Sequence, residues 1–375
     1  MSRITKLLEQ HGPAYLKKFG SKMPENHKKV LNAIMNCRQG HYGYSDHFCE
    51  DCCDHVRLLN CCGNRHCPSC QNDKNQYWLA KQLDKLLPIH YFMVTFTIPS
   101  ELRALARSNQ RIVYEAMFKA SSEAMITLAS ENKYIGCDKP GFFGVLHTWG
   151  RDMCYHPHIH YIVPGGGLKD GKWISSRADH YVEARALSKL FRGKFVAMLK
   201  QAGLETQIPQ AVWSKDWVIN MKAVGDGQSS LKYLAPYVSR VAISDKRIKK
   251  VTDTEVVYEY KPSKSQNYKN RTVTPFEFIR LFLQHTLPTG FMKIRHYGFM
   301  HSNCATKIQK IRELICVLYE VIKDMVDESP GDKIRKAMTL FTCRHCEGTM
   351  IMVEFNHHPY YPRDKASPLE QGGEP

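Results

Sequence analysis

The sequence predicts an α+β protein: an antiparallel sheet that carries helices, preceded by a small cysteine-rich module. Three observations lead there. Apolar, β-branched runs are interleaved with helical patterns, but without the regular alternation of a doubly wound parallel sheet. Two of these runs, FFGVLHTW (142–149) and HIHYIVP (158–164), are joined only by GRDMCYHP, a link short enough to make them antiparallel neighbours. And 8 of the 14 cysteines fall between Cys37 and Cys70.

Taken in order, residues 3–36 read as helical, with HKKVLNAIMNC ending near Gly40. The cysteine-rich segment follows, then a helix through YWLAKQLDKLL and an apolar strand HYFMVTFTIP closed by Pro99. Ser100 is a candidate cap for a long helix to about residue 132. After the two strands, GGGLKDGK (165–172) is a turn, 185–201 a helix and WVINMKAV (217–224) a strand. QSSLKYLAPYVSRVAIS (228–244) reads as a helix with a candidate kink at Pro236. TEVVYEYK (254–261) is a strand and KPSKSQNYKNR a basic, polar loop. Thr274-Pro275-Phe276-Glu277 has capping-box spacing with proline at the first helical position, so a helix opens there. A long amphipathic helix covers about 305–326, and the tail from His357 has the composition of a disordered segment. This divides the chain into a helical and cysteine-rich region (1–90), a catalytic domain (91–300) and a C-terminal region (301–375).

With 375 residues, 43% of them hydrophobic, the chain can bury a core and is not a disordered polymer. Lys and Arg outnumber Asp and Glu by 53 to 36, a net +17, which points to a polyanionic partner and first of all to nucleic acid. No apolar run reaches the ~18 residues of a membrane span, and MSRITKLLEQHG lacks a signal-peptide core, so a cytoplasmic protein with no membrane partner is expected. In that compartment clustered cysteines mean metal rather than disulfides. Cys49-x-x-Cys52 and Cys67-x-x-Cys70 are two knuckles, each a tight turn that aims two sulfurs at one ion; together they close a tetrahedral, structural Zn²⁺ site. Cys37, Cys62 and His66, with Cys53, His55 and Cys61 beside them, are candidates for a second ion whose ligand set the spacing leaves open. Arg57, Arg65 and Lys74 make the module basic. The Cys343/Cys346 pair supplies half a site.

A strand sends alternate side chains to the same face, so His158 and His160 point together. His147, on the preceding strand, can join them once the two strands pair, giving three imidazoles with open coordination positions; His156 is a fourth option. On a basic protein this suggests phosphodiester chemistry. Tyr233 and Tyr237 lie four apart on the 228–244 helix, hence on one face, flanked by Lys232 and Arg240. Cations of this kind lower a phenol's pKa and make tyrosine a covalent nucleophile.

NRHCPSCQ, HPHIHYIVPGGG, KYLAPYVSRVAIS and LPTGFMKIRHYGF (287–299), in this order, resemble the rolling-circle transposases of the insertion sequence 91 type, over about residues 30–300. That resemblance implies an HUH-endonuclease fold, with Mg²⁺ or Mn²⁺ at His158 and His160, His147 as third ligand, and Tyr233 and Tyr237 as the two nucleophiles. It implies cleavage of single-stranded DNA at element ends and target through a 5′-phosphotyrosine, strand transfer, and a part for the host replication machinery. Arg295 and His296 are candidate phosphate contacts, with a packed, hydrogen-bonded role as the equal alternative, and Tyr258, Tyr260 and Tyr268 are candidate base-stacking residues, although strand tyrosines more often pack. A plasmid replication initiator or relaxase of the same chemistry, and a non-catalytic zinc-module DNA-binding protein, are the alternatives.

Overall fold

The computed structural model describes residues 2–150, 152–239, 242–262, 265, 267–318 and 342–357. Two helices, α1 (Arg3–Phe19) and α2 (Glu25–Met35), lead to a hairpin of β1 (Gly43–Cys49) and β2 (His55–Leu59) inside the cysteine-rich segment. Helix α3 (Gln71–Leu83) precedes β3 (Tyr91–Thr97). The expected helix after Pro99 is broken: a 3-10 turn at Ser100–Leu102 and a short α4 (Arg103–Ser108) stop at Asn109, and α5 (Gln110–Ser130) starts afresh. Ser100 makes no cap there.

Strands β4 (Lys139–Trp149) and β5 (Tyr155–Pro164) form the centre of the main sheet. The segment expected as a simple turn is itself a hairpin, β6 (Gly166–Lys169) and β7 (Lys172–Ser175), closed by Asp170 and Gly171, both at positive φ. Asp-Gly at such a pair is the preferred two-residue hairpin turn. Then come α6 (Ala184–Gln201), β8 (Ile219–Ala223), α7 (Gln228–Ser239), a three-stranded sheet of β9 (Ile248–Val251), β10 (Val256–Tyr260) and β11 (Lys269–Val273), and α8 (Pro275–Leu283). The cap read from the sequence is in place, with the Thr274 side chain accepting the Glu277 amide and Pro275 in the first turn. The described chain closes with β12 (Ile294–Gly298), α9 (Ile308–Leu318) and β13 (Met350–His357); the rest of the expected 305–326 helix and the tail beyond His357 lie outside the described residues.

The main sheet runs β7-β6-β4-β5-β3-β8, with β12 also paired to β4. Every pairing recorded in it is antiparallel. Its two faces differ. On one, Phe92, Val94, Phe96, Phe142, Ile159, Tyr161 and Val163 pack on Phe118 of α5 and Phe191 and Phe195 of α6. Gly144 sits opposite Tyr161 on this face, and any β-carbon at 144 would collide with the Tyr161 ring. The other face buries Tyr91, Phe143, Val145 and Ile162 under Leu83 of α3, Leu231 and Leu234 of α7, and Ile311 and Ile315 of α9. Covering both faces is why these strands read as nearly continuous apolar runs. The histidines belong to the second face.

Candidate active site and metal centres

The strands β4 and β5 pair through the 150–154 connection, with His147 opposite His158 and Val145 opposite His160. The alternation therefore brings His147, His158 and His160 together, with one ring nitrogen of each within 4.8 Å of the others. His147 is buried; His158 and His160 keep part of their surface open. Burial pushes the pKa of His147 and His158 well below the usual histidine range, and that of His160 down to about 4. All three are neutral at pH 7, the ligating form. The outer nitrogens are held as well. Nδ1 of His158 donates to the His156 carbonyl at 2.7 Å, which leaves the Nε2 lone pair inward. Nδ1 of His160 has the Thr95 hydroxyl at 2.9 Å as its partner. Such outer partners fix tautomer and ring orientation at metal sites. The donor chemistry thus fits a divalent cation.

His156 is not one of the three clustered imidazoles; its ring centroid lies 5.1 Å from that of His158, and Arg103 donates to its Nδ1 at 2.7 Å. The sequence reading missed Thr95. Its signal was present: in the apolar run FMVTFT, Thr95 and Thr97 alternate onto the histidine face, opposite His160 and His158. It also missed the stack behind the site. Trp149 lies parallel to His147 at 5.5 Å, and the Lys293 ammonium is 5.0 Å from the Trp149 ring centroid. Burial brings Lys293 down to about 7.

Helix α7 lies over the same face. Leu231 and Leu234 anchor it in the cluster that holds Val145 and Ile162, the neighbours of the histidines. Tyr233 stays 49% exposed, and Lys232 is exposed too. Position 237 is within the helix, but the Tyr237 side chain and all of Arg240 lie outside the described residues. Arg295 is placed in the packed one of the two roles that the sequence left open. On β12 it faces α5, across the sheet from the histidines, ion-paired to Glu115 at 2.8 Å and packed 4.4 Å from the Phe118 ring centroid. That is a packed role. His296 points to the histidine-bearing face and stacks on Phe143. Tyr258 is fully buried in the core under Phe278, so it stacks no base; Tyr268 is exposed between Arg247 and Lys261.

The cysteines correct an expectation. The two knuckles do not lie in one cluster. Cys67 and Cys70 join Cys37 and Cys62, and Cys49 and Cys52 meet Cys343 and Cys346. Cys37 directly follows Asn36, the C-cap of α2, and Cys70 occupies the N-cap position of α3, so the first cluster ties the ends of both helices to one point. His66 is not in it. Its Nε2 accepts the Leu287 amide at 3.4 Å, and burial holds it far below the usual range.

A cysteine-rich N-terminal module thus precedes the histidine-bearing sheet. Residues 7–98 match the family model "Transposase zinc-binding domain", and residues 141–307 match "Putative transposase". Two relatives cover most of the chain. One, "Putative transposase y4qJ" of Sinorhizobium fredii, is 32% identical over 94% of each chain. The other, "Transposase for insertion sequence element IS801" of Pseudomonas savastanoi pv. phaseolicola, is 26% identical over 86% of this chain and 82% of its own. No solved structure matches. The chain belongs to the transposases of the insertion sequence 91 type, with an N-terminal zinc-binding domain. DNA is therefore its partner, and structural zinc its resident metal. Among the described residues no helix is long and apolar enough to cross a membrane.

Proposed function

We propose that the protein cleaves and rejoins single-stranded DNA at the ends of an insertion element and at its target, in rolling-circle transposition. One observation carries this reading: three neutral imidazoles converge on the sheet face over which the Tyr233 helix is packed. His147, His158 and His160 would hold Mg²⁺ or Mn²⁺, which supplies Lewis-acid polarisation of the scissile phosphate. All-nitrogen donors favour Mn²⁺ of the two. The Tyr233 or Tyr237 hydroxyl attacks phosphorus. A Tyr–O–P bond forms, the bond to the 3′ oxygen breaks, and that oxygen leaves as a protonated 3′-OH. The result is a 5′-phosphotyrosine, which stores the phosphodiester bond energy, so rejoining needs no nucleotide cofactor. The second tyrosine serves a second strand. Lys232 at the helix surface supplies positive charge beside the tyrosine, and Arg240 is read in the same role. Host replication restores the displaced strand.

The test uses end-labelled single-stranded oligonucleotides that tile the element ends, with Mn²⁺, Mg²⁺ or chelator. The expected product is a covalent protein–DNA band that needs metal and is lost in the Tyr233→Phe, Tyr237→Phe double variant. Tight binding at the true ends without any such band would overturn the reading and leave a zinc-module DNA binder.

A further inference from the structure

We propose that Cys49, Cys52, Cys343 and Cys346 form a second zinc site, a tetrathiolate centre that joins the N-terminal module to the C-terminal end of the described chain. The zinc-binding family model stops at residue 98 and the transposase model at 307, so neither includes Cys343 or Cys346.

The four sulfurs lie within 4.8 Å of one another, with Cys49 Sγ 3.4 Å from Cys346 Sγ and Cys52 Sγ 3.5 Å from Cys343 Sγ. The two knuckles are built alike. The residue after the second cysteine has positive φ in each, 59° at Cys53 and 61° at Glu347. Its amide donates back to the first cysteine's carbonyl, at 2.9 Å from Cys53 to Cys49 and 3.1 Å from Glu347 to Cys343. The first cysteine's amide donates to the residue after that turn, at 2.9 Å from Cys49 to Asp54 and 2.7 Å from Cys343 to Gly348. Two equivalent turns each present a thiol pair to one shared point, as a tetrahedral thiolate centre requires. A four-thiolate donor set takes zinc and rejects hard cations such as Mg²⁺.

The strands complete the unit. β13, which follows the second knuckle, pairs antiparallel with β1, and β1 pairs with β2. The Tyr44 hydroxyl reaches Glu354 across that pairing at 3.1 Å. The result is a small zinc ribbon whose first hairpin and second knuckle lie on either side of the catalytic sheet in sequence. Cys49 and Cys346 are 297 residues apart, so an ion here closes nearly the whole chain. Closure of a loop that long restricts the unfolded chain strongly. The zinc-binding module is thus completed by residues beyond the catalytic domain.

The experiment is a metal count on the full chain, purified under reducing conditions, by native and elemental mass spectrometry. Two zinc ions per chain are expected, falling to one in the Cys343→Ser, Cys346→Ser variant. In the wild type, Cys343 and Cys346 should resist alkylation until a chelator is added, which tests the site even if the variant does not fold. One zinc per chain, two zincs retained in the variant, or Cys343 and Cys346 found oxidised as disulfides or freely alkylated in the zinc-loaded chain would each overturn the proposal.

Discussion

His147 and His158 stand directly opposite each other across the β4–β5 ladder, their ring centroids 5.2 Å apart and the rings nearly perpendicular. Directly opposed residues have the closest β-carbons in an antiparallel pair. The place of the third imidazole is therefore fixed by strand register, and a one-residue slip would send His147 to the opposite face. Just beyond His147 the register does shift, before Trp149 pairs with Tyr155.

Thr95→Val should weaken Mn²⁺ use without unfolding the sheet. It removes the oxygen that partners Nδ1 of His160 and keeps the β-branched shape. Loss of such an outer partner costs about 10–100-fold in metal affinity or activity. A Mn²⁺ titration of single-strand cleavage checks this; an unchanged midpoint would show that Thr95 does not orient the ligand.

Adjacent cysteines should behave differently. Cys62→Ser removes a ligand of the first cluster, whereas Cys61→Ser and His66→Ala do not, because neither residue is in it. Cys62→Ser should lower zinc content and loosen α3, which packs against α7. His66→Ala should keep its zinc and lose stability by about 1–3 kcal/mol, since the buried Leu287 amide loses its acceptor. Zinc analysis with thermal unfolding separates the two.

Arg295→Ala should cost stability and leave DNA affinity nearly unchanged, because its partners are Glu115 and the rings of Phe118 and Phe291. Lys232→Ala should do the reverse, weakening single-strand binding and lowering the salt slope by about one. Binding isotherms at several salt concentrations check both. A reduced slope for Arg295→Ala would restore its reading as a phosphate contact.

Gly144→Ala should destabilise the main sheet, since the added methyl has no room against the Tyr161 ring in a two-sided core. Overpacking of this kind costs about 1–3 kcal/mol. Denaturant unfolding measures it, and a neutral variant would mean that the ring can move.

Acidification should begin to destabilise the fold at a pH above the carboxylate range. Burial, aided by Arg107, lowers His27 to about 4; burial lowers His285 to about 3. Both histidines are buried. Below an unfolded pKa of about 6.5 the unfolded chain binds protons that the folded one refuses, so stability falls as pH drops from about 6.5 toward 4. His27→Leu should flatten part of that slope in melting experiments at stepped pH.

The sequence by itself determined what depends on local spacing. Alternation put His158 and His160 on one face, the short 150–157 link made β4 and β5 partners, the Thr274 cap started α8, and each Cys-x-x-Cys made a knuckle. It also held signals that went unread, namely the Asp170-Gly171 hairpin turn and the threonines of β3. The tertiary structure alone decided which distant pieces meet. Spacing joins Cys49/Cys52 to Cys67/Cys70, but the folded chain gives Cys67/Cys70 to Cys37 and Cys62, and Cys49/Cys52 to a pair nearly three hundred residues away. Spacing left Arg295 open between phosphate contact and packing, and the pairing of β12 with β4 is what turns it toward α5 and Glu115. The reason is physical. Turns, caps and alternation follow from backbone geometry over a few residues, whereas the choice among distant partners depends on which apolar faces bury one another, and no short stretch of sequence contains that information.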